Sequence, residues 1–260
     1  MGAEVTIWVL AGTTEGRYAA VRLREAGQRV VVTTATDYGR ELLLGRLGRR
    51  EGLKVESGPL DVEGMIAFIE ANDVRAVVDA THPFAVQASM NARNATARCG
   101  VPFVRFERRC EVIEYDALIE VDGFEEAAEK AVERGPRVFL AIGVKNLRPF
   151  AEKANEAGVD LAVRILPNEE SISVCKELGI PLKNVVAAVG PFSVEFNRAC
   201  FREFGASVVV TKESGREGGY AEKVKAAKSL GVPVISVKRP RIDVERVFDY
   251  KGLVAFLEGS

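Results

Sequence analysis

The alternation of short β-branched runs with stretches of helical period constrains this chain more than any single motif does. Runs at Thr6–Ala11, Arg29–Ala35 and Ala76–Thr81 are rich in Val, Ile or Thr, Leu53–Glu56 and Pro102–Phe106 are shorter strand-like runs, and a helix-forming stretch follows most of them. Strands separated by helices cannot pair as hairpins, so they pair in parallel through right-handed helical crossovers. Val62, Met65, Ile66 and Ile69 show the helical period, with Asp61 placed to cap that helix. The second half repeats the pattern at Arg137–Ile142, Leu161–Ile165, Val185–Val189, Ser207–Thr211 and Pro233–Val237. Gly100-Val101-Pro102-Phe103-Val104 closes the first set as Gly231-Val232-Pro233-Val234-Ile235 closes the second. At about 150 residues per domain, 260 residues hold one large or two small domains. The expected fold is α/β, with two domains of one mainly parallel five-stranded sheet each and a cleft between them. The division expected from the acidic segment before Phe124 is 1–112 and 113–260.

Composition removes several classes of function. With 36 basic and 37 acidic residues the net charge is -1, which gives no electrostatic footprint for nucleic acid. The apolar runs, such as Val185–Val189, fall short of the roughly 18 residues of a membrane span, so no membrane partner is expected. The apolar start Val5–Ala11 follows Glu4 rather than a basic segment and reads as a first strand. Four cysteines without C-x-x-C spacing and a single histidine leave little material for a metal site; a cytoplasmic location with reduced thiols is expected.

The first strand runs into Leu10-Ala11-Gly12-Thr13-Thr14-Glu15-Gly16-Arg17. A glycine turn feeding a helix N-terminus cradles anions, because free backbone N–H groups and the helix dipole point at the ligand. Thr13 and Thr14 would add hydroxyls and Arg17 a cation, although the full G-x-G-x-x-G fingerprint is absent. The turn is therefore either a dinucleotide site or a tight strand-to-helix connection. Where such a site places an acid for the ribose, this chain has Thr33 and Thr34, with Arg40 and Lys54 nearby; that favours NADPH, whereas Asp37 argues for NADH.

The fourth strand opens into Thr81-His82-Pro83-Phe84-Ala85. Loops after strands one and four flank the switch point of a doubly wound sheet, where ligands bind. His82 either faces a ligand there or shapes the turn before Pro83. Farther on, Thr211-Lys212-Glu213-Ser214-Gly215-Arg216 forms a charged, glycine-rich loop after a strand, with Lys212 a cation for a phosphate, a carboxylate or the cofactor amide. Gly190-Pro191-Phe192-Ser193 looks like a counterpart of the His82 turn, and Ala141-Ile142-Gly143-Val144-Lys145 with Arg164 completes that rim.

Taken together in this order, and closed by Lys238-Arg239-Pro240, these segments resemble the precorrin-6A reductase family of cobalamin biosynthesis, which includes the cobalt-precorrin-6A reductases. The resemblance spans nearly the whole chain. It implies two Rossmann-like domains, a nicotinamide cofactor (NADPH, with NADH as the alternative) and hydride delivery to one double bond of a tetrapyrrole ring. The cofactor would meet Gly12, Thr13, Thr14, Gly16, Arg17, Thr33, Thr34, Thr81, His82, Pro83, Lys212 and Ser214. His82, Lys212 and Glu213 are the candidate proton donors. Ser89, Asn91, Arg105, Lys145, Arg164, Ser193 and Arg216, with Arg108 and Arg109, are candidates for the acidic substrate. The expected partner is that small molecule alone, bound by a monomer or small homo-oligomer. Two other readings are a cyclase of the uroporphyrinogen III synthase type and a nonenzymatic NADP-sensing regulator. A short-chain dehydrogenase is disfavoured because no Tyr-x-x-x-Lys pair occurs.

Overall fold

The computed structural model describes residues 5–47, 53–58, 61–107, 112–215 and 218–259. The chain divides into two compact units, Met1–Arg109 with Pro240–Ser260, and Cys110–Arg239. The last 21 residues thus join the first unit, a departure from the expected boundary at 112/113.

In the first unit, β1 (Thr6–Ala11), β2 (Arg29–Thr34), β3 (Leu53–Ser57), β4 (Val74–Ala80), β5 (Phe103–Phe106) and β12 (Arg246–Val247) form one sheet. Its order is β12-β5-β4-β1-β2-β3 with every pair parallel, the strand order of a dinucleotide-binding sheet. The helices are α1 (Thr14–Glu25), α2 (Asp37–Leu47), α3 (Val62–Ala71), α4 (Val86–Cys99) and α10 (Tyr250–Glu258). β1 is buried along its whole length, because helices cover both faces of a parallel sheet; hence its apolar run is continuous rather than alternating. Ile7, Val9 and Ala11 pack with Ala19, Leu23 and Leu253 on one face, while Trp8 and Leu10 pack with Met65, Ile69 and Ala92 on the other. Asp61 caps α3 as expected, accepting from the Gly64 N–H at 2.8 Å.

The second unit contains β6 (Leu118–Val121), β7 (Arg137–Leu140), β8 (Asp160–Ile165), β9 (Val185–Ala187), β10 (Val208–Lys212) and β11 (Val234–Val237). Its helices are α5 (Phe124–Val132), α6 (Arg148–Ala157), α7 (Glu169–Glu177), α8 (Val194–Glu203) and α9 (Tyr220–Ser229). The sheet order is β6-β11-β10-β7-β8-β9, again all parallel. Each sheet therefore has six strands, one more than expected. The additional strands are β6 and β12.

Both sheets share one plan. Five consecutive strands follow the order third, second, first, fourth, fifth, and a sixth strand lies beside the fifth. In the second unit that strand precedes the other five; in the first it comes last in the chain. The matching pentapeptides open equivalent strands: Gly100 and Gly231 both adopt φ 66°, and the carbonyls of Pro102 and Pro233 accept from Val77 and Val209 at 2.9 and 3.0 Å.

Candidate active site

In the first unit the loops after β1 and β4 meet at the switch point. A side chain at Gly12 would lie 3.3 Å from the His82 nitrogen, so glycine lets the two loops touch. Thr13 ties them together, its hydroxyl donating to the Ala80 carbonyl at 2.9 Å and accepting from the Gly16 N–H at 3.4 Å as the cap of α1. Gly16 lets α1 press onto β1: a Cβ there would stand 2.9 Å from Ala11 Cα. The half-buried Thr14 and Arg17 occupy the first turn of α1, at the positive end of its dipole, where an anion is favoured.

The loop after β4 is shaped from below by Asp79, which is fully buried. Its Oδ1 accepts from the Thr81 N–H at 3.0 Å and the Thr81 hydroxyl at 2.7 Å, and its Oδ2 pairs with Arg105 Nη1 at 2.5 Å. Arg105 also donates to Ser89 Oγ at 2.6 Å. Arg105 and Ser89 are 3% and 0% exposed and already bonded to each other and to Asp79 or Thr81, so both support the loop from inside rather than hold the substrate carboxylate expected of them. Pro83 is buried, and His82 Nδ1 accepts from the Phe84 N–H at 3.2 Å, an arrangement that puts the neutral ring's proton on Nε2. His82 thus shapes the turn and presents one N–H donor.

The remaining candidates of this unit divide. Thr33 Oγ1 accepts from the indole of Trp8 at 2.9 Å, and Thr34 donates to the Thr36 carbonyl at 3.1 Å; both threonines are 6% exposed and committed to the sheet. The Asp37 carboxylate, exposed at the start of α2, accepts from Ser57 Oγ at 2.5 Å and lies 3.9 Å from Arg40 Nε. Lys54 pairs with Glu56. Asn91 accepts from Gln87 on the outside of α4.

The second unit's switch point lies between β7 and β10, so the counterpart of the His82 loop is the Lys212–Gly215 loop. Gly190-Pro191-Phe192-Ser193 follows β9, the third strand of its order, and is no topological counterpart; Ser193 caps α8 by accepting from the Phe196 N–H at 3.2 Å. Burial pushes the Lys212 ammonium pKa down, and the charge of the exposed Lys145 adds to that. Glu213 Oε2 accepts from the Arg239 N–H at 3.1 Å and its carbonyl accepts from Arg239 Nε at 3.0 Å, so it holds the segment after β11 in place. Arg164 donates to Asn197 Oδ1 at 2.8 Å and lies 4.5 Å over the Phe192 ring; burial lowers its pKa to about 10. Arg108, Arg109 and Arg216 lie outside the described residues.

Sequence reasoning assigned no role to Asp79, Asn197 or Lys223. Asp79 carried a signal, as the one charged residue in the buried run Ala76–Ala80. Lys223 of α9 carried none, since lysines on amphipathic helices are ordinarily solvated; here it is 4% exposed, and burial, then Arg164 and Lys212, push its pKa down to about 7 against the opposing effect of Glu222.

The precorrin-6x reductase (CbiJ/CobK) family matches residues 6–258. A cobalt-precorrin-6A reductase of Priestia megaterium is 41% identical, over 93% of each chain. One from Methanothermobacter thermautotrophicus is 39% identical over 93% of this chain and 79% of its own. A precorrin-6A reductase of Rhodobacter capsulatus is 32% identical over 96% and 92%. Among solved structures, a CobK precorrin-6A reductase superposes with a TM-score of 0.78 at 29% identity, covering 98% of this chain and 97% of that one. The fold, the meeting of the β1 and β4 loops and these likenesses along the full length lead to one conclusion: the chain belongs to the precorrin-6x reductase family.

Proposed function

We propose that the protein reduces one double bond of precorrin-6A or its cobalt form in cobalamin biosynthesis, with NADPH as hydride donor. The observation that carries the reading is the meeting of the β1 and β4 loops at the switch point, where Gly12 lets the chain lie against Thr81 and His82 beside the start of α1, an arrangement that suits an anion. Those groups suit a dinucleotide pyrophosphate, with Thr14 and Arg17 as its polar partners. The cyclase reading does not need such a cradle, and a nonenzymatic regulator is disfavoured by enzyme relatives matching along the full length.

When bound, the reduced nicotinamide supplies two electrons and one proton as a hydride to a ring carbon; the neighbouring carbon takes a proton that originates in solvent. The chain holds the reactants and excludes water, so positioning does most of the work. Lys212 is the proposed proton donor, and His82, whose Nδ1 accepts from the Phe84 N–H, is assigned to shaping the loop. Glu213, engaged by Arg239, is assigned to support. Thr33 and Thr34 keep their sheet roles, and the 2′-phosphate of NADPH falls to Arg40, whose neighbour Asp37 is already held by Ser57. Lys145, Arg164 and Lys212 provide positive charge for the acetate and propionate groups of the ring. The relatives at 41% and 39% identity are both cobalt-precorrin-6A reductases, which favours the cobalt-bearing substrate. No helix among the described residues is long and apolar enough to cross a membrane, and Cys99, Cys175 and Cys200 are free thiols, which suits the cytoplasm proposed for this step.

The test is anaerobic incubation of the purified protein with NADPH and each substrate in parallel. Substrate-dependent nicotinamide oxidation, faster with the cobalt form, is the expected result. Equal background with and without either substrate, repeated with NADH, would refute the reading.

A further inference from the structure

Among the described residues of the second unit, four buried side-chain oxygens have no protein hydrogen-bond partner: Thr211 Oγ1, Ser214 Oγ, Ser236 Oγ and Glu222 Oε2. Thr211 and Ser236 are 0% and 1% exposed and face each other in register across β10 and β11. Residues two apart on a strand share a face, so Thr211 and Ser236 lie on the face of Val209 and Val234, which pack against Tyr220 and Val224 of α9. Arg164 shares that face through Ala162. Ser214, on the loop that follows β10, is so close to Gly218 that a Cβ there would meet its Oγ at 1.9 Å. Lys223 comes one turn into α9 and is 4% exposed. Lys212 and Gly215 are half-exposed and form the rim.

The charged and titratable groups around Lys223 are Arg164 of β8, Lys212 of β10, Glu222 and Tyr220 of α9, and Cys200 of α8 beside Arg164; Lys145 acts on Lys212. Three cations thus face one carboxylate. The buried hydroxyls of Thr211, Ser214 and Ser236 and the buried Lys223 ammonium are costly without an acceptor, and a ligand carboxylate, which only accepts hydrogen bonds, supplies one.

We propose that this cluster, floored by Lys223, Thr211, Ser214 and Ser236 at the ends of β10 and β11, is a carboxylate-binding subsite for the acidic fringe of the tetrapyrrole. The assignment rests on the reading of the substrate given above. It makes ligand binding depend on the protonation of Lys223: the cluster holds its anion best below about pH 7, where the free lysine is charged, and loses affinity as pH rises.

The experiment measures binding of cobalt-precorrin-6A to the full chain without NADPH, by the ligand's own absorption, so that no turnover is needed. The expected Kd rises by about tenfold per pH unit above pH 7 in the wild type. In Lys223→Met it is raised about tenfold at pH 7 and nearly flat with pH, and Lys223→Arg restores tight binding. Thr211→Val and Ser236→Ala guard against a purely structural effect. Removing an unpaired buried hydroxyl leaves stability equal or higher, so a several-fold rise in Kd in a protein no less stable marks lost ligand contact. An unchanged Kd in all these variants overturns the proposal, as does absence of binding by the wild type. Variants that weaken NADPH binding and spare the tetrapyrrole would identify the anion as a cofactor phosphate and also overturn it. Binding without turnover would sink the reductase reading and leave the subsite standing, whereas turnover with unchanged variants would do the reverse.

Discussion

At the scale of single residues, the first switch point depends on a buried ion pair that touches no ligand. Asp79 spends one oxygen on Thr81 and the other on Arg105, and thereby fixes the loop that carries His82. Replacing Arg105 with Met leaves a buried carboxylate uncompensated and should cost about 3–5 kcal/mol. The double variant Asp79→Leu with Arg105→Met should recover most of that stability, because an apolar pair avoids the desolvation penalty. It should still bind NADPH about tenfold more weakly, since Thr81 loses both of its bonds to Asp79. Urea unfolding and cofactor titration on the same preparations separate the two effects; full recovery of both would show that the pair does not shape the site. His82 offers a second case. His82→Asn keeps an acceptor for the Phe84 N–H, so turnover should stay within about tenfold of wild type, less than the loss of an obligatory proton donor. A drop of about a thousandfold would instead make the imidazole the proton source.

At the scale of elements, β12 and α10 complete a unit whose other strands lie far earlier in the chain. The Arg105 and Glu107 N–H groups donate to the carbonyls of Glu245 and Val247 at 2.9 and 3.1 Å, and Leu253 of α10 is fully buried among the β1 and α1 side chains. Removing residues 240–260 should therefore strip protection from β1, β4 and β5 in hydrogen exchange while β7 and β10 keep theirs. Equal loss in both units would contradict the division. Ten strands were legible in sequence; those buried on both faces, such as β1, β2 and β10, write a continuous apolar, β-branched run, and the others are set off by the helical stretches around them. β12 was not, since two residues carry no periodicity. β6, an edge strand of four residues with Glu120 in it, read as part of a connection. The glycine turn, the His82 loop and Lys212 were likewise visible as strand-end motifs. Lys223, Thr211 and Ser236 were not, because only the packing of α9 on the sheet turns them into a buried polar cluster.

At the scale of the whole molecule, two sheets share one strand order. The proposed chemistry of the first unit gathers at the β1 and β4 loops and that of the second at β10, β11 and α9, a division that suits a dinucleotide and a polycarboxylate. The second unit bears a cost for its cations. Lys223 has a folded pKa of about 7, below the ordinary lysine value, so between about pH 7 and pH 10 the unfolded chain binds more protons and stability rises with pH. Below pH 7 both states are protonated and the full penalty applies. Lys223→Met should accordingly be more stable than wild type at pH 6, by a few kcal/mol, and the advantage should shrink toward pH 10. A difference independent of pH would mean that the buried amine is not the cause. The reductase assignment itself is tested most directly by following the hydride. Cobalt-precorrin-6A is incubated anaerobically with the protein and NADPH deuterated at the transferring position of nicotinamide carbon 4, and the product is weighed by mass spectrometry. The account predicts a dihydro product with one deuterium from the cofactor and one hydrogen from solvent; a reduced ring without the label, or no reduced ring from intact folded protein, would contradict it.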